Sequence, residues 1–155
     1  MESLEKLLAA HAFLRDLSTE HVRFMTGCAR NVRFDAGALV LEEGKEADVM
    51  FLVREGRVAL EIHVPGRGPE RVETVGPGDV LGWSWLFPPY RWHIDGRAME
   101  TVRAFAFDGA CLRAKMEADH DLGFAVSKRL LYQVHQRLER VRLQQLDVYA
   151  SGEAR

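Results

Sequence analysis

Between Val32 and Phe107 no apolar run is long enough to build a helix, because glycines interrupt the chain at Gly37, Gly44, Gly56, Gly66, Gly68, Gly76, Gly78 and Gly82. Apolar runs of this length, spaced roughly 8–12 residues apart and separated by glycine turns, are the pattern of a closed or double-sheeted β domain. The spacing predicts strands at Val32–Phe34, Leu39–Leu41, Val49–Val53, Val58–Val64, Arg71–Val75, Val80–Leu81 and Val102–Phe107. Arg54-Glu55-Gly56-Arg57 suits a hairpin turn, since glycine takes positive φ without a Cβ clash. Pro65-Gly66-Arg67-Gly68-Pro69 reads as a longer hairpin loop. The expected architecture is mainly β with flanking helices, a β-sandwich or barrel.

Helical periodicity brackets this region. Leu4, Leu7, Leu8 and His11 share a helical face. Ser18 is placed to cap a second helix that carries Val22, Phe24, Met25 and Cys28. After Phe107, Asp108 is placed to cap a short helix and Asp119 a long one reaching about Val148. In that last helix Phe124, Ser127, Leu131, Val134, Leu138, Val141, Gln145 and Val148 alternate three and four apart, a heptad seam. Leu122, Val126, Leu130 and Leu146 form a second stripe beside it. One stripe is expected to lie on the β domain and the seam to meet a twin helix, giving a homodimer with Phe124, Leu131, Val134, Leu138, Val141 and Val148 at the contact. The organisation read from the chain is N-terminal helices over 1–30, a β domain over 31–108, C-terminal helices over 109–149 and a polar tail over 150–155.

The 155 residues fit one domain with its own core. A net charge of −2 gives no strongly basic surface for non-specific nucleic-acid binding. No segment approaches the ~18 apolar residues of a membrane helix, and the N-terminus lacks a signal-peptide pattern. Cys28 and Cys111 are far apart in sequence and have no CxxC spacing, so both read as reduced thiols in a cytoplasmic protein. No two of His11, His21, His63, His93, His120 and His135 are separated by one residue, so a strand cannot present a local histidine pair to a metal. A G-x-S-x-G nucleophile elbow is lacking as well. Neither catalysis nor a cofactor is expected, and a lone His93 or Cys28 reads as a packed side chain and not as a haem ligand.

All three tryptophans fall within ten residues, in Gly82-Trp83-Ser84-Trp85-Leu86-Phe87-Pro88-Pro89-Tyr90-Arg91-Trp92-His93, just after a Pro-Gly turn. Three readings stand. Trp83, Trp85 and Phe87 pack as a plug, with Pro88-Pro89 stiffening the exit; or Gly82, Trp83, Ser84, Trp85, Arg91, Trp92 and His93 line a pocket for a flat effector; or the loop docks a protein.

Three motifs in order carry a resemblance. Phe34-Asp35-Ala36-Gly37 with Leu41-Glu42-Glu43-Gly44-Lys45-Glu46-Ala47-Asp48 is similar to an "F-x-x-G … I-x-x-E-G-x-x-A-D" run. Met50-Phe51-Leu52-Val53-Arg54-Glu55-Gly56-Arg57-Val58 is similar to "M-Y-F-I-x-x-G-x-V", and Gly76-Pro77-Gly78-Asp79-Val80-Leu81-Gly82 to "L-G-P-G-D-x-F-G". Together they resemble the cyclic-nucleotide-binding domain of the catabolite-activator and anaerobic-regulator transcription factors, over roughly Leu14 to Val148. The resemblance implies a jelly roll with a long dimerising helix and a regulatory, non-catalytic role. The chain departs from it where the ligand would sit. The family's ribose-binding glutamate falls at Trp83. Counting back from Arg97-Ala98, its phosphate-neutralising arginine and hydroxyl fall at Trp92 and His93, with Arg91 one residue off. Neither Trp nor neutral His replaces a guanidinium against phosphate. Cyclic AMP or GMP in the usual mode is therefore not expected; an unknown small effector or a partner protein takes its place. No recognition-helix pattern or basic patch follows the long helix, so direct DNA binding is not expected either. The jelly roll also resembles the cupin architecture, but the histidine spacing lacks a cupin metal site.

Overall fold

In the computed structural model, which describes the backbone of residues 2–153 and the side chains of residues 2–147, the central strand is buried on both faces. This strand, β3 (Val49–Glu55), carries the unbroken run Met50-Phe51-Leu52-Val53, all four residues being buried. Ahead of it come helix α1 (Leu4–Ala9), a 3-10 turn at Ala12–Leu14, helix α2 (Thr19–Thr26), and strands β1 (Ala29–Phe34) and β2 (Leu39–Leu41). Beyond it run β4 (Val58–Val64), β5 (Gly68–Val75), β6 (Val80–Leu81), a 3-10 turn at Ser84–Leu86, β7 (Asp95–Ala98) and β8 (Val102–Asp108). Helices α3 (Gly109–Ala118) and α4 (His120–Glu153) close the chain.

The eight strands form two four-stranded sheets, ordered β1-β8-β3-β6 and β2-β7-β4-β5, with antiparallel pairing throughout. This interleaved order is the jelly roll, or double-stranded β-helix, that the resemblance implies. The expected strands are all present. Sequence reading missed β7, whose Asp-Gly-Arg-Ala content has little β propensity; it is held by pairing with β2 and β4. Pro69 lies in β5, at a sheet edge, the place in a sheet where proline is tolerated.

Side-chain alternation on β3 and β8 divides the interior. Met50, Leu52, Phe105 and Phe107 face the helices and pack with Leu8, Phe13, Leu14, Val22, Met25, Leu112, Leu122, Val126 and Leu130. Phe51, Val53, Ala104 and Ala106 face the other way, between the sheets, with Leu41, Val58, Leu60, Val75 and Leu81. In the register Phe51 stands opposite Ala106 and Leu52 opposite Phe105, so β8 is bulky on its helix side and slim inside the sandwich.

Helix starts follow the predicted caps. Ser18 Oγ accepts from His21 N at 3.1 Å, Asp108 Oδ1 from Cys111 N at 2.8 Å, and Asp119 Oδ1 from Leu122 N at 3.1 Å. In α4, Leu122, Val126 and Leu130 lie buried on the β domain, but Leu146 of the same expected stripe is 62% exposed. The helix also continues through Glu153, past the expected end near Val148 and into the segment read as a tail. The side chain of Val148 lies outside the described residues.

The reading of Cys28 and Cys111 as free thiols is overturned. They form a disulfide, with Cα atoms 5.7 Å apart across a sequence separation of 83. β1 pairs with β8, and Asp108 N donates to Cys28 O at 2.9 Å, which seats the start of α3 beside the end of α2. Sequence distance carried no information about this meeting. Closing so long a loop restricts the unfolded chain and stabilises the fold by roughly 2–4 kcal/mol.

His11 ties the N-terminal segment to the central strand. Its Nε2–H donates to Val53 O at 2.8 Å, and its Nδ1 accepts from Phe13 N at 3.1 Å, so both partners demand the neutral ring. Burial depresses its pKa, with the Val53 hydrogen bond opposing in part. Between the folded value and the ordinary ~6.5 the unfolded chain binds more protons. This contribution is complete above about pH 6.5 and fades as the pH falls below it. Urea midpoints measured from pH 7.5 to 5.5 are expected to fall, and His11→Gln is expected to lower stability at pH 7.5 while flattening that fall. Equal slopes for both proteins would remove His11 from the acid response.

Candidate ligand site

The sequence groups three tryptophans on one loop, and the fold separates them, with Trp85 inside and Trp83 against the helix-side core and Trp92 in the core between the sheets. Trp85 is fully buried in the helix-side core; its Nε1–H donates to Gly82 O at 3.1 Å, and its own carbonyl accepts from Arg113. Trp92 is 5% exposed and belongs to the core between the sheets. Trp83 is half-buried beneath Arg137, whose guanidinium carbon stands 4.5 Å from the indole centre.

The position of Trp92 follows from backbone pairing. Its N–H donates to Lys45 O at 3.0 Å and its carbonyl accepts from Gly44 N at 2.9 Å, while Tyr90 O accepts from Ala47 N at 2.7 Å. Glu46 and Arg91 form the bridge between these segments. Alternation along an extended segment then turns Trp92 inward and Arg91 outward; Arg91 is exposed, and so is much of His93, which borders the cavity described below. Gly82 receives the indole. It has φ of 92°, and a Cβ built there would lie 2.6 Å from Trp92 Cη2 and 2.7 Å from Cζ3. Only a residue without a side chain leaves the ring its place.

A cavity of about 170 Å³ remains beside this contact. Leu41, Leu60, Leu81 and Ile94 supply aliphatic wall, Trp83 and Trp92 aromatic wall, and Ser84, His93 and Arg137 polar groups. Gly82 also lines it. Of the residues expected to line a pocket, Gly82, Trp83, Ser84, Trp92 and His93 thus come together, whereas Trp85 and Arg91 do not. Trp85 is spent on the helix-side core, and Arg91 points away on the outward phase of its strand.

Arg137 is the residue that sequence reading missed. It lies on α4, 54 positions from Trp83 (137 − 83), and nothing in the heptad pattern marks it. Its Nη2 donates to Val80 O, and its Nε lies 3.8 Å from Glu73 Oε2, with both side chains largely buried. Burial lowers its pKa and the Glu73 carboxylate offsets part of this, while the guanidinium remains charged. Glu73 Oε1 also lies 3.3 Å from Arg140 Nη1, an ion-pair contact without hydrogen-bond alignment. Helix α4 is therefore joined to the cavity through charge and through the Trp83 face. Among the described residues no group of three His, Cys, Asp or Glu side chains is placed to hold a metal ion, and no helix is long and apolar enough to cross a membrane.

Residues 31–119 match the family model of the cyclic nucleotide-binding domain. The chain belongs to that family. The domain is 24% identical over 137 residues to the CRP-like cAMP-activated global transcriptional regulator of Mycobacterium tuberculosis; the match covers 88% of this chain and 59% of the regulator. Among solved structures, a candidate cyclic nucleotide-binding protein from Geobacter metallireducens GS-15 superposes with a TM-score of 0.77 at 29% identity, covering 89% of this chain and 99% of that one. The sensor domain of the transcriptional regulator DNR from Pseudomonas aeruginosa shares the fold, with a TM-score of 0.69 at 18% identity over 87% of this chain and 91% of that one. The domain thus has a transcriptional regulator among the proteins it resembles in sequence and shares its fold with a sensor domain.

The Trp92–Gly82 contact predicts coupled substitutions. Gly82→Ala is expected to cost on the order of 2–4 kcal/mol, through overpacking plus the positive-φ penalty. In a Trp92→Ala background the added cost of Gly82→Ala is expected to shrink to the backbone part, about 1–2 kcal/mol. A double-mutant cycle in urea checks this; strict additivity would mean that the indole does not press on Gly82.

Proposed function

We propose that the domain is a non-catalytic regulatory module that does not take cyclic AMP or GMP in its family's manner. The observation carrying this reading is Trp92, buried against Gly82 at the place where the resemblance puts the phosphate-neutralising arginine. Two further observations support it. Trp83 occupies the place of the ribose-binding glutamate, and the remaining 170 Å³ is smaller than the ~300–1,000 Å³ of ordinary ligand pockets. A nucleotide phosphate placed here would be desolvated against indole with no guanidinium fork from the loop. The effector is therefore smaller than a nucleotide, and α4 carries the response, because Arg137 and Trp83 join cavity and helix. Dependence of the helix on the effector requires different affinities for two helix arrangements.

The module works as a homodimer through α4. Phe124, Leu131, Leu138 and Val141 are 70%, 69%, 46% and 42% exposed along the heptad seam, Val134 is half-buried among them, and Leu122, Val126 and Leu130 already cover the β domain. Burial of Trp85 and Trp92 in two separate cores favours a second reading, a closed domain that only docks another regulatory protein. Saturable binding of any small effector in the cavity separates the two.

Native mass spectrometry and calorimetry with cyclic AMP and cyclic GMP are expected to show no uptake; one nucleotide per chain would overturn the proposal. Light scattering is expected to find a dimer, and the double variant Leu131→Glu/Leu138→Glu a folded monomer. A dimer that survives both charges would place the contact elsewhere.

A further inference from the structure

Beyond closing the nucleotide position, the site has a chemistry of its own, and the argument for it rests on the reading that Trp92 fills that position. Its volume, walls and charge each narrow the occupant. About 170 Å³ is slightly more than the roughly 150 Å³ apolar cavity that holds benzene in an engineered protein. One six-membered ring with a short substituent fills such a space, and a fused purine with a sugar does not. The walls are aliphatic on one side and indole on the other, surfaces suited to a flat ring.

The charge is the more specific clue. Arg137 lines the cavity, yet the hydrogen bond it makes among the described residues is the one from Nη2 to Val80 O. Its carboxylate neighbour Glu73 stands at 3.8 Å, outside hydrogen-bond reach, and lies closer to Arg140 at 3.3 Å. Asp79 also attracts Arg137, but its Oδ2 accepts from Gly76 N at 2.9 Å in its own turn. The guanidinium donors not used on Val80 O are not sealed from solvent, so they remain open to a ligand entering the cavity. A carboxylate matches the guanidinium fork with two parallel hydrogen bonds. Ser84 and His93 also line the same cavity.

We propose that this cavity binds a single-ring aromatic carboxylate, with its carboxylate on Arg137 and its ring against Trp83 and Trp92. Binding would alter the Arg137–Glu73–Arg140 cluster, and so would read out on α4.

The test uses benzoate as probe and benzyl alcohol as the neutral compound of the same shape, titrated into the whole chain by calorimetry. One benzoate per chain is expected, with benzyl alcohol weaker by about tenfold or more. In the indole N–H region of the NMR spectrum, Trp83 and Trp92 are expected to shift further than Trp85. Arg137→Gln is expected to weaken benzoate at least about tenfold and leave benzyl alcohol little changed. Should that variant fail to fold, Ile94→Phe narrows the cavity with Arg137 intact and is expected to abolish benzoate binding. Benzoate silence, equal affinity for the two probes, or benzoate binding that survives either variant would overturn the proposal. The regulatory reading above would stand if cyclic nucleotides are also silent. Uptake of cyclic nucleotide would overturn both.

Discussion

The double burial of the β3–β8 pair organises everything else in this domain. Because Met50 and Leu52 face the helices while Phe51 and Val53 face the opposite sheet, the chain must supply two cores. The helix-side core recruits α1 to α4; the inner core must fit between two sheets packed about 10 Å apart. Ala104 and Ala106 keep β8 slim on that inner side, and the room they leave is shared among β-branched residues, leucines and Trp92. The tryptophan loop lies where the two cores meet. Its residues are apportioned between them: Trp85 to one, Trp92 to the other, and Trp83 to the seam under Arg137.

That apportioning explains why the loop does not behave as one aromatic cluster. Gly82 sits between the destinations and serves both: its carbonyl accepts from the Trp85 indole, and its missing Cβ admits the Trp92 ring. Beside Gly82 this leaves a small, largely apolar cavity with one guanidinium brought in by the long helix. The helix is no bystander to that cavity, because Arg137 is both a wall of it and a partner of Glu73 on the sheet. Charge, packing and helix position are coupled at one residue.

Much of the fold was legible because its signals are local. Glycine turns, short apolar runs and the caps at Ser18, Asp108 and Asp119 act over three to five residues, where sequence order and spatial order agree. The strand that escaped, Asp95–Ala98, has no local signal and exists through its partners β2 and β4. The same limit applies to the cysteines. Cys28 and Cys111 were judged by separation along the chain, whereas β1–β8 pairing sets their separation in space.

The sequence by itself determined the glycine-punctuated β domain, the helices that flank it and the heptad seam on the long helix, because each is a statement about residue type and short-range spacing. Tertiary structure alone decided which tryptophan fills which core, that Arg91 points away while Trp92 points in, that the cysteines meet, and that Arg137 reaches the cavity from 54 positions beyond Trp83 (137 − 83). The reason is one of range. Strand phase and helix docking are settled by pairing and burial between segments remote in sequence, and a one-residue change of phase would have exchanged Arg91 for Trp92 at the site.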